Sequence, residues 1–447
     1  MTSIDLIDPA TGEVFGTAPV GRESEVDAAV RRAATAFATW RRSTPMRRQA
    51  ALLAVADALE ANAGEIADLE CRETGKDKAV VLDEEIPQSA DVLRFFAGAA
   101  RTMPGAATGE YLDGHTSSLR REPIGVIAQI TPWNYPLMMA VWKIAPAVAA
   151  GNTVVVKPAD TTPSSTLLLG SLASRHLPEG VVNVVTGDRD TGRLLVTHPI
   201  PAMVSITGST RAGIEVARAA ADTLKRTHLE LGGNAPVLVF DDVDVAEAAD
   251  GIIAAAFYNA GQDCTAAARV LVQDRVHDEF VAALAVRAQA ARTGPLNSAA
   301  QLERVTGLLD RLPGHAVVHC GGKRLGERGF FVEPTVISGL RQDDEIVQEE
   351  VFAPVITVQR FTTDDEGVTG ANGVPQGLAS SVWTADAARA ARLAVELDFG
   401  CVWVNTHGPL ASEMPHGGFG QSGYGKDLST IGLEDYTRVK HVMTRLG

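Results

Sequence analysis

Apolar and polar positions alternate over short stretches at the start of the chain, and the period then lengthens. "IDLIDPATGEVFGTAPV" (4–20) alternates around a Pro/Gly turn and predicts a hairpin. "ESEVDAAVRRAATAFATW" (23–40), "MRRQAALLAVADALEANAGEIADLECRETG" (46–75) and "EIPQSADVLRFFAGAAR" (85–101) carry apolar residues at three- and four-residue spacing in Ala-rich surroundings, so each predicts a helix. From about residue 121 the texture changes to β-branched runs, "IGVIAQI", "NTVVVK", "VNVVTG" and "MVSITG", separated by helical segments. That alternation is the pattern of a parallel sheet with crossover helices. A second series, "APVLVF" (235–240), "ARVLVQ" (268–273), "AVVHCGG" (316–322) and "CVWVNTHG" (401–408), predicts a second α/β domain. The tail "DYTRVKHVMTRL" (435–446) reads as a terminal strand of the kind that pairs with another subunit.

Length and composition narrow this picture. A chain of 447 residues exceeds one ordinary core and suggests two or three domains, and 45 % hydrophobic with 21 % charged residues is a globular composition. Lys plus Arg total 40 against 55 Asp plus Glu, a formal charge of −15, which argues against nonspecific binding to nucleic acid or anionic membranes. No window reaches the roughly 18 uncharged apolar residues of a membrane span, and "MTSIDLIDPA" has neither a basic nor an apolar leader region. The cytoplasm is the expected location. Cys71, Cys264, Cys320 and Cys401 show no pairing pattern and read as free thiols.

Several stretches carry candidate chemistry. "SITGSTRAG" (205–213) predicts a strand, a Gly/Ser/Thr turn and a helix opening at Gly213, aimed at a phosphate, although the middle glycine of the dinucleotide fingerprint is missing. In "VVVKPADTTPSS" (154–165), Lys157 and Asp160 suit the hydroxyls of a ribose; the plainer reading has Asp160 capping a helix. Glu230 falls 230 − 208 = 22 residues after Gly208, where the fingerprint would place a ribose-binding acid. Its setting in "HLELGGNAP" equally suits a desolvated general base of raised pKa, and spacing alone leaves both open. Cys264, in "YNAGQDCTAA", is expected in a loop or at a helix start, where exposed N–H groups lower a thiol pKa while Asp263 opposes them. A packing role is the alternative. Asn134, in "TPWNYPLMMAVW", either satisfies turn backbone or donates to a developing oxyanion. "HAVVHC" (315–320) places His315 and His319 on one strand face and Cys320 on the other, which is no metal site.

The order and spacing of "TPWNYP", "GNTVVVKPAD", "ITGSTRAG", "LELGGNAP", "NAGQDCTAAAR", "QEEVFAPV" and "PHGGFGQSGYGKD" resemble the NAD(P)-dependent aldehyde dehydrogenase superfamily, from about residue 5 to the C-terminus. The resemblance implies a Rossmann-like NAD-binding domain (1–104 and 124–232), an α/β catalytic domain (233–425) and a small β oligomerisation element (105–123 and 426–447). It implies Cys264 as nucleophile, Glu230 as the base for deacylation and Asn134, with the Cys264 backbone N–H, as oxyanion donor. It maps NAD onto Thr131, Pro132, Trp133, Lys157, Asp160, Gly187, Thr207, Gly208, Ser209, Leu231, Glu350 and Phe352. An acid at 160 disfavours the 2′-phosphate of NADP, less firmly for Asp than for Glu.

Within the superfamily, "GEYLDGHTS", "WKIAPA", "GDRDTG", "AGQDCTA", "VNTHGPL" and "YTRVKHVM" resemble the aminoaldehyde group, particularly 4-aminobutyraldehyde dehydrogenases. The resemblance implies a tunnel lined by Tyr135, Trp142, Asp263, Thr265, Trp403 and His416. Asp263 favours a distal ammonium and disfavours succinate semialdehyde, and betaine aldehyde is the related alternative. The superfamily also implies a homodimer or homotetramer and no metal. Gly420 in place of a common Lys, Ala353 in place of a common Gly, and shortened connections near 290–298 and 310–322 are departures that leave a noncatalytic member as the rival reading. A CoA-acylating enzyme is disfavoured by the presence of Glu230.

Overall fold

The computed structural model describes residues 3–103, 105 and 107–447. The expected domain edges at 1 and 104 therefore lie outside the described residues. The N-terminal hairpin pairs Ser3–Asp8 with Glu13–Pro19, and Glu23–Trp40 is a helix. The single helix expected over 46–75 is two, Pro45–Ala61 and Ala63–Thr74. Asn62 breaks it: its backbone sits at φ −112°, ψ 18°, and its Nδ2 donates to the Ala58 carbonyl at 2.6 Å. An Asn side chain competes in this way with the helical ladder. A π turn at Val81–Glu85 then opens the helix Ile86–Thr102.

The first sheet has six strands in the order Gly423–Tyr424, Arg226–Leu231, Met203–Gly208, Val126–Ile130, Thr153–Lys157 and Val182–Val184. All neighbours are parallel except the first pair. Arg226–Leu231 escapes the sequence pattern because its exposed start hides a short buried run. The helix Pro136–Ala149 packs beneath this sheet with every residue buried.

The second sheet has seven strands in the order Val317–Cys320, Thr335–Ser338, Val355–Phe361, Arg269–Gln273, Pro236–Val239, Ala379–Trp383 and Cys401–Val404. The expectation for "AVVHCGG" is corrected in one respect: Val317–Cys320 is an antiparallel edge strand, with only Cys320 buried. A third, antiparallel sheet joins Thr437–Arg445, His115–Pro123 and Gly109–Leu112. The terminal strand is exposed along nearly its whole length. No helix among the described residues is long and apolar enough to cross a membrane.

Candidate active site

In an open parallel sheet the carboxyl ends of the strands leave a crevice for ligands. Here Ile130, Lys157, Gly208 and Leu231 end neighbouring strands, and a cavity of about 1400 Å³ opens beyond them. Its wall includes Asn134, Glu230 and Cys264, so three of the expected chemical groups meet in one space.

Glu230 lies on Arg226–Leu231, between Thr207 on one neighbour and Gly423 on the other. Its carboxylate is 2 % exposed and its Oε1 accepts from Cys264 Sγ at 3.7 Å. The two glycines after Leu231 permit this arrangement. A Cβ on Gly233 would lie 2.0 Å from the Cys264 carbonyl oxygen, and one on Gly232 would lie 2.3 Å from Glu350 Oε2. Gly261 (φ +68°) makes a similarly close approach to the Ala353 carbonyl oxygen, at 2.2 Å from an added Cβ.

No helix starts at Cys264; it occupies a turn between the Tyr258–Gly261 segment and the strand Arg269–Gln273. The expected lowering of its pKa is therefore corrected. Burial, then the negative charges of Glu230, Asp263 and Glu350, push the thiol well above its ordinary value. Burial, aided by the charges of Glu230 and Asp263, pushes the Glu350 carboxyl up to about 8 although it accepts from Gly233 N and faces Arg304. Asn134 is buried; its Nδ2 donates to the Gln262 carbonyl at 3.1 Å, while its own carbonyl accepts from Asn259 Nδ2. One of its two amide hydrogens is thus tethered and the other remains.

The residues expected to hold a dinucleotide separate into two places. Pro132, Trp133, Thr207, Gly208, Ser209, Leu231, Glu350 and Phe352 line the cavity. Thr131, Lys157, Asp160 and Gly187 lie outside that lining, at the adjoining strand ends. Lys157 is buried and its Nζ donates to the Pro158 and Gly187 carbonyls, whereas Asp160 is exposed. Asp160 caps no helix: the next one, Ser164–Ser174, follows Pro163. The helix expected to open at Gly213 begins one turn earlier, at Thr210, with Ser209 Oγ accepting from Ala212 N. Phe352 sits at φ +56°, edge-on to Trp133 at 5.3 Å.

These residues fit a dinucleotide on structural grounds. The cavity is larger than the ~300–1,000 Å³ of a usual small-ligand site. Thr207 Oγ1 and Thr131 Oγ1 are buried hydroxyls without a hydrogen-bond partner among the described residues, a state that costs free energy until a ligand or water satisfies it. Arg211, Arg218, Gln301 and Arg304 also line the space; sequence reasoning missed them because nothing in their local pattern distinguishes them from solvated helix faces.

The expected substrate residues are partly brought together. Tyr135, Trp142, Asp263, Thr265 and His416 line the cavity and Trp403 does not. Trp403 is corrected: its indole donates to the Pro409 carbonyl and its ring lies behind His407 at 4.7 Å. His407 faces the cavity instead, bonded to the Thr265 carbonyl and Ser381 Oγ, and burial pushes its pKa down to about 4. Asp263 is already engaged, Oδ2 accepting from Tyr135 OH at 2.7 Å and Oδ1 from Thr265 N and Oγ1. Lys76 covers the Tyr135 ring at 4.2 Å and pairs with Glu85 at 2.8 Å and Glu70 at 3.7 Å. Glu84, Glu85 and Tyr258 join the lining, with Tyr258 OH donating to Glu84 Oε2. The π turn aims these acids, and no sequence pattern announces such a turn.

Behind the site, Lys143 Nζ pairs with Asp427 Oδ2 at 3.1 Å, both side chains fully buried. His228, two residues from Glu230, meets Asp427 Oδ1 at 3.1 Å. Burial works against the Asp427 charge, yet Lys143 and His228 hold its carboxyl far below the usual range. The Asp427 backbone bridges to His416, so this cluster fixes the back wall of the cavity. Of the "HAVVHC" residues, His315 lies in the turn before the strand Val317–Cys320 rather than on a face shared with His319: His315 meets Asp344, His319 meets Ser338, and Cys320 Sγ donates to the Pro334 carbonyl.

Comparison with known proteins supplies the family. The model described as "Aldehyde dehydrogenase family" matches residues 1–442. A betaine aldehyde dehydrogenase point mutant from Staphylococcus aureus, solved with NAD+, is 34 % identical with a TM-score of 0.97, over 100 % of this chain and 93 % of that one. PnpE from Pseudomonas sp. WBC-3 is 36 % identical with a TM-score of 0.96, over 100 % and 94 %. An aldehyde dehydrogenase from Bacillus cereus, also solved with NAD+, is 35 % identical with a TM-score of 0.97, over 100 % and 94 %.

Proposed function

The chain belongs to the aldehyde dehydrogenase family and is an NAD-dependent aldehyde dehydrogenase, and from that premise we propose that Cys264, Glu230 and Asn134 oxidise an aminoaldehyde to its carboxylic acid. The observation that carries the roles is the Cys264 Sγ to Glu230 contact of 3.7 Å inside a cavity that Asn134 shares. Glu230 takes the thiol proton, which the buried thiol does not release unaided, and the sulfur attacks the aldehyde carbon. The free amide hydrogen of Asn134, with the Cys264 backbone N–H, receives the oxyanion. When bound, NAD+ supplies the hydride acceptor that turns the thiohemiacetal into a thioester. Once the proton it took from the thiol has passed to solvent, Glu230 is again a carboxylate and deprotonates the water that hydrolyses the thioester. Thr207, Ser209, Glu350 and Phe352 hold the cofactor, and Lys157 and Asp160 take the adenosine ribose, the exposed Asp160 favouring NAD over NADP.

The substrate assignment rests on charge. Glu84, Glu85 and Asp263 line the cavity together, and of the neighbouring cations Lys76 is already paired with Glu85 and Glu70. A primary ammonium donates N–H bonds to such acids, whereas a quaternary one offers only its charge and relies on aromatic faces. Tyr135 has one face taken by Lys76, which favours the ammonium over betaine aldehyde. Assembly through the exposed Thr437–Arg445 strand, into a dimer or tetramer, completes the reading.

Steady-state rates with 4-aminobutyraldehyde, betaine aldehyde, butyraldehyde and succinate semialdehyde, each with NAD and NADP, test it. The expected order of kcat/KM places 4-aminobutyraldehyde with NAD first and succinate semialdehyde last. A preference for butyraldehyde removes the role of the acids. Cys264→Ala is expected to abolish NADH production with every aldehyde, and full activity in that variant refutes the nucleophile.

A further inference from the structure

Glu230, Cys264 and His416 present one carboxylate oxygen, one sulfur and one ring nitrogen within 4.8 Å of one another. We propose that these three side chains form an inhibitory site for a thiophilic divalent cation, Zn2+ above all, which closes the enzyme by occupying its nucleophile and its base together. The metal is no resident cofactor, and the proposal holds whatever aldehyde the enzyme oxidises.

Distance carries the argument. Tetrahedral zinc with a thiolate at ~2.3 Å and N and O donors at ~2.0–2.2 Å separates its ligand atoms by roughly 3.4–3.6 Å. Sγ of Cys264 stands 3.7 Å from Glu230 Oε1, and His416 Nε2 stands 3.6 Å from the same oxygen. Two edges of the ligand triangle are therefore close to their final length before any metal arrives.

The donors are also prepared in other respects. His416 is 3 % exposed and held edge-on against Trp142 at 5.4 Å, so its ring has little freedom left to lose. Its Nδ1 has no hydrogen-bond partner among the described residues, which leaves Nε2 toward Glu230 as its one polar engagement. Zn2+ with one thiolate, one carboxylate and a neutral imidazole is a neutral assembly, suited to buried donors among which an unbalanced charge is penalised. On binding, the Cys264 S–H bond breaks, its proton leaves to solvent, and a Zn–S bond forms without change of oxidation state. A fourth position remains for water.

The test uses the full-length enzyme without aldehyde. Co2+ added to it is expected to give a thiolate-to-metal charge-transfer band in the near ultraviolet, one metal per chain, displaced by Zn2+. Zn2+ is expected to slow alkylation of Cys264, followed by mass spectrometry, and chelator to restore it. Cys264→Ser is expected to abolish the band while Cys320→Ser and Cys71→Ser retain it, and His416→Phe to weaken Zn2+ binding by about tenfold or more. A band that survives Cys264→Ser, undiminished binding in His416→Phe, or alkylation of the wild-type thiol indifferent to Zn2+ overturns the proposal. None of these readings depends on aldehyde oxidation, so they stand apart from the substrate assay.

Discussion

Gly233→Ala tests whether the contact between the base strand and the nucleophile turn is as tight as it looks. The new methyl would sit 2.0 Å from the Cys264 carbonyl oxygen. Real Cβ atoms essentially never approach closer than 3.0 Å, so the turn must retreat by at least 3.0 − 2.0 = 1.0 Å. A misplacement of about 1 Å in a reacting group costs on the order of 100-fold, or roughly 2.7 kcal/mol of transition-state stabilisation. Gly233 has an ordinary negative φ, so the effect is a collision and not backbone strain. Gly98→Ala, in the helix Ile86–Thr102 where an added Cβ meets nothing within 4 Å, serves as the control and is expected to keep full activity. The assay is kcat/KM for the best aldehyde, with circular dichroism and NAD affinity measured alongside. A Gly233→Ala enzyme that is folded and within threefold of wild type would refute the claim that this glycine sets the position of Cys264.

Lys143→Met leaves the buried Asp427 charge without its main partner and is expected to cost about 3–5 kcal/mol, read as a lowered melting temperature; Lys143→Met with Asp427→Leu should recover much of that loss. The raised Cys264 thiol predicts that alkylation of the free enzyme by iodoacetamide accelerates as pH rises past 9, because only the thiolate reacts; a rate already flat at neutral pH would contradict the burial argument. Glu230→Gln, which removes the acceptor of the thiol proton as well as the base for water, is expected to slow both the first turnover of NADH and the steady rate, and an unchanged steady rate would remove it as base. Glu85→Gln should raise KM for 4-aminobutyraldehyde several-fold while leaving butyraldehyde unaffected; equal effects on both would assign Glu85 a purely structural part.

Much of this was legible in the sequence because it is local. The β-branched runs that became the two parallel sheets are buried on both faces, so each announces itself without help from its neighbours. Cys264, Glu230 and Asn134 each carried an open reading in the sequence, and the fold gathers all three around one cavity. What the sequence concealed is what only the folded chain creates. Asn62 divides a continuous helical pattern by one side-chain bond. The π turn at Val81–Glu85 redirects two acids with no compositional mark. Trp403 has the composition of a tunnel residue, yet His407, four positions on, takes the wall in front of it. The thiol pKa went the other way because burial, with the charges of Glu230 and Glu350 from distant segments, adds to the opposition of the adjacent Asp263 that was already visible.

The antiparallel edge strand Gly423–Tyr424 has a bearing on how the enzyme is born. It pairs Gly423 with Glu230, Ser422 accepts from Leu231 N, and Asp427 and His416 close in behind. Every one of these supports follows the parallel strands of both large sheets in sequence, so a nascent polypeptide that has already paired those of its first sheet still lacks the flank of its base. The reactive centre is therefore completed late in synthesis, and a truncation ahead of Gly423 would strip the base strand of its edge and leave Lys143 buried without Asp427.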